Sequence, residues 1–341
     1  MFTSKYNTLK RRNFVNNIFI SSLGLSSISL SNPYLYSRNF PYKLSLAQFS
    51  LFRLEMSRKI NPMDFAKISS DLGFKGLEYL QMSYTGALLR KNKENSLYGI
   101  KNLAKDLNIR AKDYGMENIL IMIDIGPDLA NDVDNFDVYH TWIDCASEMN
   151  CHSVRVNLRG SEGNLSQWTQ NSIKNLSLLC EYAKPLKINI IVENHGGFSS
   201  NADYLVNVIE KVNHNNIGTL PDFGNFCIKQ DEEKYMEMYK MFSQGAELTS
   251  NRPPTLYDSC LVKFDMYDGV EKLMKYAKGV SAKTHGFDSY GDDVDIDYKK
   301  MLQIVKDSGY SGYIGVEAQA FTMDPIEAIQ ESKKLLLNSY S

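Results

Sequence analysis

The sequence lacks the features that mark several common protein classes. Its 341 residues include 38 Lys and Arg against 40 Asp and Glu, a formal net charge of −2, so charge gives no argument for nucleic-acid binding. The apolar stretch Ile18–Leu30 is too short for a membrane-spanning helix, which needs about 20 residues. No linker, repeat or low-complexity tract divides the chain, and its length suits one large barrel or two ordinary domains.

Cysteine is also scarce, and its pattern excludes a zinc-binding motif. The five cysteines are an odd number, and they form no CxxC pair and no zinc-like spacing. We therefore predict that all five are unpaired residues of the core or of helices, with only Cys145 and Cys151 close in sequence. The five are Cys145, Cys151, Cys180, Cys227 and Cys260.

The first forty residues differ in character from the rest. A basic cluster with adjacent arginines, Lys10–Arg12, precedes the apolar, Ser- and Gly-rich stretch Ile18–Leu30. This arrangement is typical of a secretory signal of the twin-arginine class, and the alternative is a basic tail. We predict that residues 1–40 are a signal peptide and leader, that residues 41–341 form the folded domain, and that the protein is exported to the periplasm.

From Lys43 onward, strand-like runs alternate with amphipathic helical segments. Pro62 and Pro325 stand where a first helical turn would begin, and Gly73 and Gly309 fit helix C-caps. Eight strands, seven intervening helices and a closing helix predict a single-domain α/β protein, a (β/α)8 TIM barrel. The predicted strands are Lys43–Leu51, Gly76–Gln81, Glu117–Ile125, Ser153–Leu158, Ile188–Glu193, Ile217–Asp222, Gly279–His285 and Gly312–Gln319.

One connection departs from this alternation. Residues Gly224–Asp268 follow predicted strand six and are much longer than an ordinary loop. We expect a short extra helix and a loop near the mouth of the barrel, where long loops commonly act as lids. An insertion without function is the alternative.

Each of the last four predicted strands ends with a side chain that can bind a metal ion. Glu193 and Glu317 close apolar runs, and Asp222 and His285 close the two runs between them. Active sites of barrels lie at the carboxyl ends of their strands, and an isolated buried carboxylate is costly unless it is paired or metal-bound. The four side chains therefore predict one shared divalent cation.

The type of ligand indicates the metal and the chemistry. Three carboxylates and one imidazole favour Mn²⁺, with Mg²⁺, Co²⁺ and Zn²⁺ as alternatives. Such an ion polarises a carbonyl and stabilises the enediolate that forms when the neighbouring carbon loses a proton. We predict Glu193 and Glu317 as the catalytic pair, one removing the proton and the other returning it.

Four polar residues in or near these strands are candidates for substrate binding. Arg155 in strand four can bind a sugar oxygen or phosphate, or form an ion pair. His195 can bind substrate or orient Glu193, or be an ordinary loop histidine. Lys283 can stabilise an oxyanion or have a structural role. Glu78 in strand two, pointing to the interior, can hold a substrate hydroxyl or Lys283.

The strings IVENHGG (Ile191–Gly197), PDFGNF (Pro221–Phe226), AKTH (Ala282–His285) and GVE (Gly315–Glu317) resemble the sugar phosphate isomerase/epimerase proteins of the xylose-isomerase-like barrel superfamily. The resemblance covers about Lys43 to Leu337. It implies metal ligation by Glu193, Asp222, His285 and Glu317, with Glu193 and Glu317 as the acid–base pair. Related epimerases commonly carry a substrate-binding His where this chain has Asn225, so Asn225 becomes a further candidate.

The function predicted from these residues is a metal-dependent sugar isomerase or epimerase working through an enediolate. No Gly-rich anion loop or basic cluster follows strands seven and eight, so a phosphorylated substrate is weakly supported. The alternatives are a lyase or hydrolase acting on a keto-glycoside and a non-catalytic sugar-binding barrel. Endonuclease IV shares this barrel but needs a His-rich three-zinc cluster, which five histidines do not supply. A small sugar, no nucleic acid and no membrane span are expected, and a homodimer is left open.

Overall fold

A computed structural model describes residues 40–85, 97–160, 163–243 and 252–340. The predicted signal segment, residues 1–40, lies outside these ranges except for Phe40. None of the described helices is long and apolar enough to cross a bilayer.

Eight parallel strands form the main sheet, in the order β6-β5-β4-β3-β2-β1-β10-β9. Their residues are nearly all buried and rich in Val, Ile and Leu, as expected for strands that are covered on both faces. The strands are β1 (Lys43–Ala47), β2 (Gly76–Leu80), β3 (Glu117–Ile123), β4 (Ser153–Val156), β5 (Asn189–Glu193), β6 (Ile217–Leu220), β9 (Val280–Thr284) and β10 (Tyr313–Ala318).

The sheet curls until its two edge strands meet. The bridges Thr219↔Ala277 and Asp222↔Ser281 are both parallel, and the amide of Ser281 donates to the carbonyl of Pro221. These bonds join the segment around β6 to the segment around β9. The predicted α/β barrel-like fold is confirmed.

The helices pack around the outside of the sheet. Asn164, Asn201, Asp265, Asp297 and Asp324 each begin a helix by accepting hydrogen bonds from the first-turn amides. The helices are α1 (Phe52–Met56), α2 (Phe65–Asp71), α3 (Gln81–Tyr84), α4 (Leu97–Asp113), α5 (Asp137–Glu148), α6 (Leu165–Ala183), α7 (Ala202–Val212), α8 (Glu232–Ser243), α9 (Met266–Met274), α10 (Tyr298–Asp307) and α11 (Pro325–Ser339).

Several predicted boundaries were wrong. The first strand ends at Ala47 and continues as a 3-10 turn, Gln48–Leu51, followed by the unpredicted helix α1. Helix α9 begins at Met266, within the predicted connection Gly224–Asp268, because the side chain of Asp265 caps its first turn. Gly73 and Gly309 have φ of 75° and 73°, the left-handed conformation that ends α2 and α10 as predicted.

The connection after β6 contains an antiparallel ribbon, β7 (Cys227–Gln230) and β8 (Cys260–Lys263), with α8 between its strands. The predicted extra helix is therefore present. A disulfide joins Cys227 to Cys260, so the prediction that all five cysteines are unpaired was wrong for these two. The ribbon brings them together although 33 residues separate them. Cys145, Cys151 and Cys180 are buried and free.

Candidate active site

The interior of the barrel changes from apolar to charged along the strands. Leu120, Ile191 and Leu220 belong to a small apolar cluster inside the sheet. Glu193 follows Ile191 by two residues, so both side chains point to the same side of β5. The other charged groups lie at the same carboxyl-terminal end of the barrel, which is where active sites of this architecture are built.

Three carboxylates converge at this end. Glu193, Asp222 and Glu317 each place an oxygen within 4.8 Å of the other two, and they are 1%, 0% and 5% exposed. Glu193 is the last residue of β5 and Glu317 lies in β10, whereas Asp222 follows the end of β6 by two residues. Burial raises the pKa of Glu193 and Asp222 above the usual range, because a buried carboxylate loses its hydration.

Backbone and side-chain donors hold Asp222 firmly. Its Oδ1 accepts hydrogen bonds from the amides of Gly224 and Asn225, both at 2.9 Å, and its Oδ2 accepts one from Ser281 Oγ at 2.7 Å. The side chain of Asn194 bonds to both the amide and the carbonyl of Asp222. The tight turn after β6 therefore orients this carboxylate toward the barrel axis.

Two buried cations lie among the carboxylates. Lys283 Nζ lies 2.7 Å from Glu317 Oε1 and 3.6 Å from Asp222 Oδ2. Burial lowers the pKa of Lys283, but Asp222 and Glu317 outweigh burial and raise it, so the ammonium stays charged. Arg155 Nη1 lies 2.6 Å from Asp124 Oδ1, and its Nε lies 2.9 Å from Glu193 Oε2.

The contact between Arg155 and Glu193 is an ion pair without hydrogen-bond geometry. No donor in the described part of the chain makes a hydrogen bond to Glu193 Oε2, whereas Glu193 Oε1 accepts one from Asn225 Nδ2 at 2.9 Å. A buried carboxylate oxygen without a hydrogen bond is uncommon, because leaving it unsatisfied costs free energy.

His285 lies just beyond the end of β9. Its Nδ1 contacts Asp295 Oδ2 at 3.0 Å, and a Cβ built on Gly224 would lie 2.4 Å from its Nε2. Burial raises the pKa of Asp295, but the hydrogen bond with His285 helps lower it to about 2. Within the described residues, the three converging carboxylates form a metal-competent group without His285. Its ligand role stays a prediction.

A cavity of about 620 Å³ opens above the cluster. Most of the predicted substrate-binding residues line it, namely Arg155, His195, Asn225 and Lys283. Of the two predicted catalytic glutamates, Glu317 lines the cavity and Glu193 does not. Glu78, the remaining predicted substrate-binding residue, lies inside the barrel, is 2% exposed and does not line the cavity.

The outer wall of the cavity is aromatic. Tyr235 and Tyr239 of α8 and Tyr257 come from the connection after β6, and Phe49 and Phe321 line the same cavity. A second cavity of about 380 Å³ shares Phe49, Tyr239, Gln319 and Phe321 with the first, so the two adjoin. The connection between β6 and β9 thus covers part of the mouth, as its length suggested.

Sequence reasoning missed four residues that orient the site. Asp124, Asn194, Ser281 and Asp295 each bond to a predicted site residue. Asn194 stands beside Glu193 in the sequence, and Ser281 shares a face with Lys283, so both carried a signal. Asp124 follows the apolar run of β3 and so carried the same kind of signal as Glu193, whereas Asp295 lies in a loop ten residues after His285 and no local pattern marks it.

Solved structures with this fold are similar to the chain over most of its length. A sugar phosphate isomerase/epimerase from Parabacteroides distasonis is 12% identical with a TM-score of 0.56, covering 88% of this chain and 95% of its own. The 3-keto-D-glucoside 4-epimerase from E. coli is 11% identical, with a TM-score of 0.56 and coverages of 81% and 94%. The IOLI protein, solved with a bound zinc atom, is 15% identical, with a TM-score of 0.56 and coverages of 87% and 97%. Identities this low establish the fold alone.

No curated protein sequence matches the chain significantly. A family model does match, and it spans residues 66–339, which include all three converging carboxylates as well as Lys283 and His285. The chain therefore belongs to the xylose isomerase-like TIM barrel family.

Proposed function

We propose that this protein is a divalent-metal-dependent isomerase or epimerase of a sugar or sugar derivative, which moves a proton at a carbon next to a carbonyl. The observation that carries the proposal is the convergence of three buried carboxylates, Glu193, Asp222 and Glu317, at the carboxyl end of the barrel, where Glu317 lines the cavity. Two of the structural neighbours bear the names of sugar isomerases or epimerases, which supports this substrate class.

The donor set fits a divalent cation. Three carboxylates supply hard oxygen ligands, and Glu193 Oε2 is a buried oxygen with no hydrogen-bond donor among the described residues. We propose His285 as the fourth ligand, because Asp295 holds its Nδ1 and leaves Nε2 to bind. A bound divalent ion would polarise the substrate carbonyl and stabilise negative charge on its oxygen.

The proton transfer is assigned to Glu317 and Glu193. Glu317 lines the cavity and can reach a substrate carbon there. Burial raises the pKa of Glu193 toward neutrality, which favours a group that both takes and returns a proton. Asn225 donates to Glu193 Oε1 and so orients this carboxylate.

The cavity is suited to a sugar. Its volume of about 620 Å³ lies within the range of about 300–1,000 Å³ that small-molecule sites occupy. His195, Asn225 and Gln319 supply hydrogen-bonding groups on its wall, and the tyrosines of the covering segment supply aromatic faces. Arg155 and Lys283 are engaged by carboxylates, so neither is presented as a free phosphate ligand.

The test is solvent deuterium exchange into a panel of ketoses and keto-glycosides, with Mn²⁺ supplied. We expect label to enter at the carbon next to the carbonyl, and Glu317→Gln to reduce the rate by about 10²- to 10⁴-fold, the usual contribution of general acid–base catalysis. Glu271→Gln, an exposed change on α9, is the matched control and should not alter the rate.

One outcome would contradict the isomerase proposal, and another would contradict only the role assigned to Glu317. The protein would be a non-catalytic sugar-binding barrel if no substrate took up deuterium and if Glu317→Gln bound sugar as tightly as the unaltered protein. Exchange that Glu317→Gln leaves unchanged would remove Glu317 from the proton transfer.

A lyase or hydrolase acting on a keto-glycoside is the second candidate. The aromatic outer wall and the adjoining cavity of about 380 Å³ favour it, because they offer space and apolar surface for a group attached to the sugar. The same proton removal would then be followed by expulsion of the neighbouring substituent. Release of an aglycone from a keto-glycoside, with no isomerised sugar, would identify this activity.

We also propose export to the periplasm. The disulfide between Cys227 and Cys260 supports it, since stable disulfides form in oxidising compartments. Fractionation of cells that express the full chain, combined with thiol alkylation, tests this. A soluble cytosolic protein with five reactive thiols after unfolding would contradict it.

A further inference from the structure

Lys283 is placed where a cation bound by the carboxylates would be expected. It belongs to β9, and the strand register pairs it with Glu317 of β10. Its side chain is 1% exposed, and Nζ lies 2.7 Å from Glu317 Oε1 and 3.6 Å from Asp222 Oδ2. An ammonium is a compact point charge with three donors, so it can occupy a position among oxygen ligands much as a metal ion does.

The charges around the cluster leave Lys283 without a substitute. Arg155 is shared between Asp124 and Glu193, and neither pairing reaches Asp222 or Glu317. Lys283 is therefore the nearest counter-charge that the described residues give to Asp222 and Glu317. Because both carboxylates are buried, removing their counter-charge would leave negative charge that only another cation or a proton can neutralise.

We propose that Lys283 is the resident cation of this cluster and that a divalent ion binds only in competition with it. The proposal rests on the metal site proposed above. Two cations held by the same buried carboxylates repel each other strongly, because the interior screens charge poorly. Metal binding therefore requires Lys283 Nζ to leave Glu317. Lys283 also lines the cavity, so its ammonium has space to move toward the substrate.

If Lys283 competes with the metal ion, it lowers the metal affinity of the site. Replacing Lys283 with a neutral side chain of similar length should therefore raise the metal affinity. Lys283→Met removes the charge and keeps most of the volume. Lys283→Arg keeps the charge. Lys174→Met is the matched control, because Lys174 pairs with Asp132 on the surface, away from the site.

The measurement is calorimetric titration of chelator-treated protein with Mn²⁺ and with Co²⁺ at pH 8, with metal content checked by mass spectrometry. We expect Lys283→Met to bind at least tenfold more tightly than the unaltered chain. Lys283→Arg should bind no more tightly than the unaltered chain, and Lys174→Met should match it. If Lys283→Met is insoluble, Lys283→Gln takes its place.

Thermal unfolding gives a second measurement, which distinguishes a lysine that competes with metal from a purely structural lysine. Without metal, Lys283→Met should have a lower Tm than the unaltered chain, and saturating Mn²⁺ should raise its Tm more than it raises that of the unaltered chain. Lower stability with no gain from metal would indicate a structural role and overturn the proposal.

The outcomes separate this inference from the proposed function. Equal or weaker metal affinity in Lys283→Met, with clear binding by the unaltered chain, overturns the competition but leaves the metal site intact. No binding by any variant overturns both. Weak binding by the unaltered chain and tight binding by Lys283→Met supports both.

Discussion

Glu78 offers a test of the electrostatics inside the barrel that does not depend on knowing the substrate. It lies in β2, 2% exposed, and Ser45 Oγ donates to its Oε1 at 2.6 Å. A Cβ on Gly315 would lie 2.3 Å from this same oxygen, so the absence of a side chain there makes room for the carboxyl. Burial raises the pKa of Glu78 to about 7, and the charges of Glu317 and Glu193 act in the same direction while Ser45 opposes them.

The sign of the effect on stability follows from proton binding. The pKa of Glu78 is 4.5 before folding and about 7 afterwards, so between these values the folded state binds more protons than the unfolded state. The stabilisation is fully present below pH 4.5 and is lost as the pH rises through 7. At about 1.4 kcal/mol per pH unit, the loss amounts to about 3 kcal/mol.

Glu78→Gln removes the titrating proton and nearly preserves the shape. We expect its free energy of unfolding, relative to that of the unaltered protein, to rise by about 2–3 kcal/mol between pH 5 and pH 8. The change with pH is the quantity to compare, because an unpaired amide hydrogen in the variant would cost the same at both values.

Urea denaturation followed by circular dichroism at pH 5 and pH 8 measures this difference. Glu271→Gln on the exposed face of α9 is the control and should show no such change with pH. If the relative stability of Glu78→Gln is the same at both pH values, Glu78 is not held protonated near neutrality, and the reasoning from its burial is wrong.

Two other predictions concern the covering segment and the histidine. Replacing Cys227 and Cys260 together by Ser should lower the free energy of unfolding by about 2–4 kcal/mol. Dithiothreitol should destabilise the unaltered chain but not this variant. If dithiothreitol lowers the stability of both equally, the disulfide does not stabilise the fold as predicted. Gly224→Ala should displace His285, because the new Cβ would lie 2.4 Å from Nε2, and metal affinity by calorimetry should fall at least tenfold. Unchanged affinity would remove His285 from the ligand set.

The barrel could be predicted because its strands are buried on both faces. Such strands appear in the sequence as continuous apolar runs. The prediction that Glu193 and Glu317 lie at the ends of strands is correct. A carboxylate that follows a buried apolar run is best accommodated at the rim of the barrel, where active sites lie. Asp222 was assigned to a strand but lies two residues past it, in a turn. It still reaches the cluster, because the amides of that turn aim its carboxylate inward.

The disulfide could not be predicted from local patterns. Cys227 and Cys260 lie 33 residues apart, and they come together, with their Cα atoms 5.7 Å apart, only because β7 and β8 pair in an irregular antiparallel ribbon. The role of Asp124 could not be predicted for the same reason, because its partner Arg155 lies 31 residues away on β4. Long-range pairing of this kind depends on the finished fold.

Lys283 and His285 show where sequence periodicity reaches its limit. Both point to the same side of the segment, so alternation alone cannot decide which one faces the carboxylates. The register decides: it pairs Lys283 with Glu317, whereas His285 lies past the end of β9 and contacts Asp295. Position along the barrel axis therefore explains why the ammonium of Lys283, and not the imidazole of His285, contacts Glu317.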